Sequence, residues 1–133
     1  MTTFWFFGLV YCAVTWIVFG AMHFIYHDAT LAQMPPFFTH KLFNQIAVYG
    51  TGILEILLGI GLVFKKTRTW SALGSMIMLI MILPATIYIT ISPDATPTLS
   101  GMSKTLFRAV NIPNAIFMFM CSFYFWRSRP DSQ

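Results

Sequence analysis

The stretch TGILEILLGIGL, starting at Thr51, carries a single carboxylate, Glu55, in an otherwise apolar run. An ionisable side chain at the middle of a membrane helix costs about 2.5–3.5 kcal/mol on insertion scales, so its presence calls for a chemical role. The strong apolar residues around it each return about 0.3–0.6 kcal/mol near the helix centre, so the segment inserts in spite of the acid. No basic residue lies within the same span. Glu55 then has two readings. It is a neutral carboxyl bonded to a neighbouring helix that fixes register, or it is a proton carrier or polar anchor for a headgroup in an interior site. The second is expected, because intramembrane acids mark functional sites by default.

Other polar residues fall at a depth where they could join it. His23 lies near the end of the first apolar stretch, Thr86 and Tyr88 follow Pro84 in the third, and Asn114 follows Pro113 in the fourth. Together with Glu55 they are expected to line one cavity in the outer half of a helical bundle. Gly52, Glu55 and Gly59 stand at i, i+3 and i+7 on one helix face. Glycines there admit a close partner helix that seals the acid from lipid.

Metal chemistry is not expected. His23 and His27 share a face at i and i+4, but a zinc or copper site needs further ligands, and the candidates His40 and Asp94 lie in distant loops. A bis-histidine haem lacks its facing pair. Met76, Met78, Met81, Met118 and Met120 sit in apolar segments, where methionine fills gaps. Cys12 and Cys121 are read as buried small hydrophobes rather than as a disulfide. No nucleophile elbow, phosphate loop, HExxH or CxxC occurs, so no catalytic motif marks the chain as an enzyme; a non-catalytic oxidoreductase subunit remains compatible with it.

The elements that must position these residues follow from composition. The chain has 133 residues, 57% hydrophobic and 9% charged, with mean hydropathy +0.71. A soluble domain is about one-quarter charged. Four apolar stretches each approach the ~17–25 residues that a spanning helix needs. They predict spans at about residues 4–26, 43–64, 69–91 and 105–126. In lipid the backbone must satisfy itself, so these are helices, and short connections make them an antiparallel four-helix transmembrane bundle, an all-α membrane protein. The first segment lacks a basic n-region and a cleavage site, so it is read as a helix and not as a signal peptide. The fourth is expected to start near Ser103 as N-cap, with Pro113 inside it.

The net charge of +4 does not indicate nucleic acid, because the basic residues are scattered at helix ends without a stripe or stacking platform. They read as topology signals. Lys65, Lys66, Arg68, Arg127 and Arg129 flank one side, against Lys41, Lys104 and Arg108 on the other, which predicts a multi-pass protein with both termini cytoplasmic. The two outer loops, HDATLAQMPPFFTHK and SPDATPTLSGMSK, are the long ones; Pro35, Pro36, Pro93 and Pro97 suit them to pack as a lid.

FGAMHF at the end of the first span, MPPF in the loop, YGTGILEILLGIGLVFKKTRTWSA across the second span and LPATIYITI in the third together resemble the DoxX-like family of small integral membrane proteins. The resemblance runs from about Gly20 to Ile91 and weakly through the fourth span. It implies a four-helix membrane fold and a redox-associated subunit of a bacterial inner membrane, with His23, Glu55 and Pro84 at positions the family fills the same way. Thr86 stands where the family often has Asn, and Asn111 and Asn114 stand where an Arg and a Gln flank the fourth-span proline. Those changes remove a cation for Glu55, leaving Arg108, one turn before Asn111, as its substitute.

The expected function is an accessory subunit of a redox-associated membrane complex, in contact with membrane lipids and other membrane subunits, whose cavity holds a quinone or a lipid headgroup. The alternatives are a small transporter or proton pathway, or a quinone-interacting oxidoreductase subunit.

Overall fold

The computed structural model describes residues 1–92 and 103–128. Pro93, Asp94, Pro97 and Arg129, which entered the loop, ligand and charge readings above, lie outside the described residues. The described residues form six helices and no strand: α1 Thr3–Ile25, α2 His27–Leu31, α3 Lys41–Val63, α4 Arg68–Met81, α5 Leu83–Ile91 and α6 Lys104–Arg127. Three of these, α1, α3 and α6, are long and apolar enough to cross a membrane, and α4 with α5 makes a fourth if the bent pair is one span.

Side chains such as Phe7, Ile46, Leu57 and Ile80 are exposed around the outside. Soluble monomers rarely expose apolar patches beyond a few hundred Å². The interior is correspondingly selective. Leu9, Cys12, Ala13, Trp16, Leu62, Ala72, Met78, Leu79, Met118, Cys121 and Phe125 form one buried cluster at one end of the molecule. At that end Trp5 of α1 stacks on Tyr124 of α6 with ring centroids 3.8 Å apart. The basic turn lies there too, where Arg68 donates from Nε to the Leu62 carbonyl at 2.9 Å and from a terminal nitrogen to Val63 at 3.1 Å, closing the C-terminus of α3.

The most extensive packing is between α1 and α3. A Cβ added to Gly20 would lie 2.6 Å from the Gly52 carbonyl oxygen, and one added to Gly59 would lie 2.7 Å from the Ala13 carbonyl oxygen. Only hydrogen fits at these points. Residue numbers rise on α1 as they fall on α3, so the two helices run in opposite directions along this contact.

The third apolar segment, expected as one span over 69–91, is two helices bent by 49°. Pro84 lacks an N–H, and its ring crowds the carbonyl four residues back, so the α4 ladder cannot run through. Instead Ile82 N–H closes α4 onto Met78, and Thr86 N–H opens α5 onto Ile82, each at 2.9 Å. Pro113, by contrast, lies inside a continuous α6, whose N-cap Ser103 accepts from Leu106 N–H at 3.1 Å. The first outer loop contains α2, in which Thr30 donates to the Tyr26 carbonyl.

Candidate functional site

The end of the molecule opposite the packed cluster is hollow. The bend at Ile82 swings α5 away from α3, and the space between them is a cavity of about 300 Å³. His23, Thr30, Gln33, Thr51, Glu55, Thr86 and Asn111 supply its polar side chains; Phe19, Phe38, Phe43, Met81, Ile89 and Phe107 supply much of its apolar wall. The Met34–Pro35–Phe38 part of the first loop closes one side, tied down where Asn44 donates to the Phe38 carbonyl at 2.8 Å.

Glu55 is 3% exposed, on the buried face of α3 with Gly52 and Gly59. Among the described residues its Oε2 has no hydrogen-bond partner, and it stands 3.5 Å from His23 Nε2. That is longer than the ~2.7–2.9 Å of a charge-assisted hydrogen bond. The other imidazole nitrogen is well placed: Nδ1 is 2.7 Å from the Val48 carbonyl oxygen and 3.2 Å from Thr51 Oγ1. A carbonyl only accepts, so Nδ1 carries the proton. The Thr51 hydroxyl donates to the Ala47 carbonyl at 2.7 Å and can only accept from the ring. His23 is thereby locked in one orientation and one tautomer, with Nε2 turned to the acid.

The expected cavity residues divide in the structure. His23, Glu55 and Thr86 line one space. Asn114 does not join them. It points to the neighbouring helix, where its Oδ1 accepts from the Tyr11 hydroxyl and its Nδ2 lies 3.7 Å from Met118 Sδ. Arg108 does not pair with Glu55, because its guanidinium serves the end of α5, donating to the Thr90 carbonyl at 2.7 Å and to that of Ile91 at 3.4 Å. Tyr88 is half-buried on α5 outside the cavity lining. His27 stacks on Tyr49 with centroids 4.3 Å apart, and His40 Nδ1 accepts from Phe43 N–H as the N-cap of α3. Among the described residues no three His, Cys, Asp or Glu side chains cluster as metal ligands.

Thr51 and Asn111 belong to the site without having been expected there. Thr51 was discoverable, since it precedes Glu55 by four residues on the same helix face. Asn111 gives both amide protons to α5, to the Thr86 carbonyl and to Thr90 Oγ1, each at 3.0 Å. With Arg108 it stitches the bent half-span to α6. The Val48 carbonyl has no sequence signature at all.

A family model described as Domain of unknown function (DUF8561) matches residues 12–122. No curated protein and no solved structure matches the chain.

Proposed function

This chain belongs to the family described as Domain of unknown function (DUF8561), and for it we propose the role of an accessory membrane subunit that binds the head of an amphiphile against Glu55. In this reading the helices form an antiparallel four-helix transmembrane bundle in a bacterial inner membrane, α4 and α5 count as one broken span, and both termini are cytoplasmic. The chain works beside a redox enzyme, and its outer-half cavity takes a quinone-like or lipid headgroup. The resemblance of FGAMHF, MPPF and the Glu55 segment to DoxX-like proteins supports the redox association.

The observation that carries the binding role is a carboxyl oxygen unpartnered among the described residues, in a residue 3% exposed, facing a cavity of about 300 Å³ with apolar walls. A buried polar atom without a partner is expensive, and a ligand that supplies the partner recovers that cost. The same layout favours binding over a transport or proton pathway, because the buried cluster around Trp16 and Met118 fills the other end of the bundle. No intrinsic redox group is needed for the role, so the chain serves a complex without doing its chemistry.

The test is purification from native membranes in mild detergent, with mass spectrometry of all bound proteins and small molecules. Expected are a co-purifying redox-enzyme subunit and one amphiphile near stoichiometric amounts, with the amphiphile lost from Glu55→Leu. A partner-free, ligand-free chain that sustains its normal physiology sinks the proposal.

A further inference from the structure

The empty site already holds a positive charge that a ligand can replace, the proton of a buried acid. His23 Nδ1 gives its own proton to the Val48 oxygen, 2.7 Å away, so Nε2 turns toward Glu55 Oε2 at 3.5 Å as a second acceptor. With no further proton, a carboxylate would face that lone pair in a buried site that no Lys or Arg lines among the described residues. The pair therefore holds one more proton, on the carboxyl or on the imidazole, and its net charge is zero. A head that brings its own positive charge and its own N–H groups can take the place of that proton.

The rest of the lining accepts more than it donates. The hydroxyl protons of Thr30, Thr51 and Thr86 are committed to the carbonyls of Tyr26, Ala47 and Ile82, while their oxygens keep lone pairs. Both amide protons of Asn111 are held by α5. The break before α5 frees the Ala85 N–H, but it also frees the Met81 carbonyl that this N–H would meet in a continuous helix, so it adds a donor and an acceptor together. Charge is one-sided. Glu55 on α3 and His23 on α1 are the titratable groups of the lining among the described residues; α2, α4, α5 and α6 face it with no acid or base, and Arg108 is engaged on α5 carbonyls. An anionic head would meet no counter-charge beside the acid. A neutral hydroxyl has one proton to give and serves one acceptor. An ammonium serves two, since acceptors 3.5 Å apart both lie within the ~2.7–2.9 Å reach of charge-assisted bonds from one nitrogen.

We propose that the cavity takes an amphiphile with a primary ammonium head, whose N–H groups bridge Glu55 Oε2 and His23 Nε2, in exchange for the proton that the empty pair holds. One ammonium enters and one H⁺ leaves, so the site is neutral before and after. This rests on the binding role proposed above and narrows its ligand to an ammonium-bearing lipid head rather than a quinone-like one.

The full chain in mild detergent is titrated with four probes of matched tail, dodecylammonium, dodecyltrimethylammonium, dodecanol and dodecyl phosphate, in weak buffer with a pH-indicator dye. Dodecylammonium should bind tightest and release about one proton per molecule bound. Its affinity should rise about tenfold from about pH 6 to pH 7, because protons compete for the pair while an alkylammonium stays charged throughout. Glu55→Gln keeps the size of the side chain but has no proton to exchange; it should bind dodecylammonium roughly tenfold or more weakly and release none. Proton release is read on the native chain, so the exchange is tested even where the variant does not fold. Tighter binding of dodecanol or dodecyl phosphate, or dodecylammonium binding without proton release, would overturn the ammonium assignment while leaving an amphiphile site in place. Equal affinity for the trimethylammonium probe, which has no N–H, would overturn the bridge between Oε2 and Nε2. Failure of all four probes to bind overturns this inference together with the binding role beneath it.

Discussion

His23 is fixed at one nitrogen and turned toward Glu55 with the other, and that division of labour is local. It depends on the carbonyl of Val48 and the hydroxyl of Thr51, both on the helix that carries Glu55. The pair meets only because α1 and α3 approach without side chains at Gly20, Gly52 and Gly59. Gly59 is the cleanest place to test this, since it touches no cavity group. A Cβ there would lie 2.6 Å from Ile17 Cγ1 and 2.7 Å from a backbone oxygen. Gly59→Ala should therefore destabilise the detergent-solubilised chain by about 1–3 kcal/mol, the usual cost of overpacking. Gly50 lies in the same helix with nothing within 4 Å of an added Cβ. Gly50→Ala should have the opposite sign, a gain of up to about 1 kcal/mol from the reduced backbone entropy of the unfolded chain. Thermal unfolding of both variants followed by circular dichroism checks the contrast; equal losses at the two positions would mean that the seam is not the tight contact described.

Among the elements, the α4–α5 bend decides whether there is a cavity. Pro84 breaks the helical ladder, and the two half-helices part by 49°. Proline creates the bend, and α6 keeps it: Arg108 and Asn111 satisfy the carbonyls and hydroxyl of α5 at Thr86, Thr90 and Ile91. Pro84→Ala restores an N–H and removes the ring clash, so α4 and α5 can join into one straighter helix. The expected result is a thermal stability higher by about 1 kcal/mol with binding of the amphiphile in the cavity weakened, as the cavity narrows. Both quantities come from one thermal-shift titration, and a variant that binds as well as the native chain would show that the bend is held by α6 alone. The proline itself was plain in the sequence. That it divides the span into two helices around a hollow was not, because the bend angle is set by what α5 finds to bond with on α6.

On the scale of the whole molecule, one end is filled and basic and the other is hollow. Trp5 against Tyr124 and the Arg68 turn mark the first end; the Met34–Pro35–Phe38 loop marks the second. A bundle that crosses the membrane four times puts Thr2, Lys66 and Ser128 on one side and Thr39 on the other. Single cysteines at these exposed positions should react accordingly with a membrane-impermeant maleimide: Thr2→Cys, Lys66→Cys and Ser128→Cys from the cytoplasmic face, Thr39→Cys from the opposite face. Labelling of Lys66→Cys and Thr39→Cys from the same side would exclude the proposed crossing of α3. Native Cys12 and Cys121 are buried and should contribute little background.

The sequence by itself determined that the chain is a set of apolar helices long enough to span a membrane, that one of them carries an acid between glycines, and where prolines interrupt. Those properties are local: the length of an apolar run, a spacing of three or four residues, a missing N–H. The tertiary structure decided which polar groups meet. Successive residues of a helix point about 100° apart, so a small rotation of α6 about its axis separates a cavity residue from an outward one. That rotation turns Asn111 toward α5, Asn114 toward Tyr11 and Arg108 onto the α5 carbonyls, leaving Glu55 with a histidine and, among the described residues, no fixed cation. Rotation is settled by packing between helices distant in the chain, and no spacing within one helix encodes it.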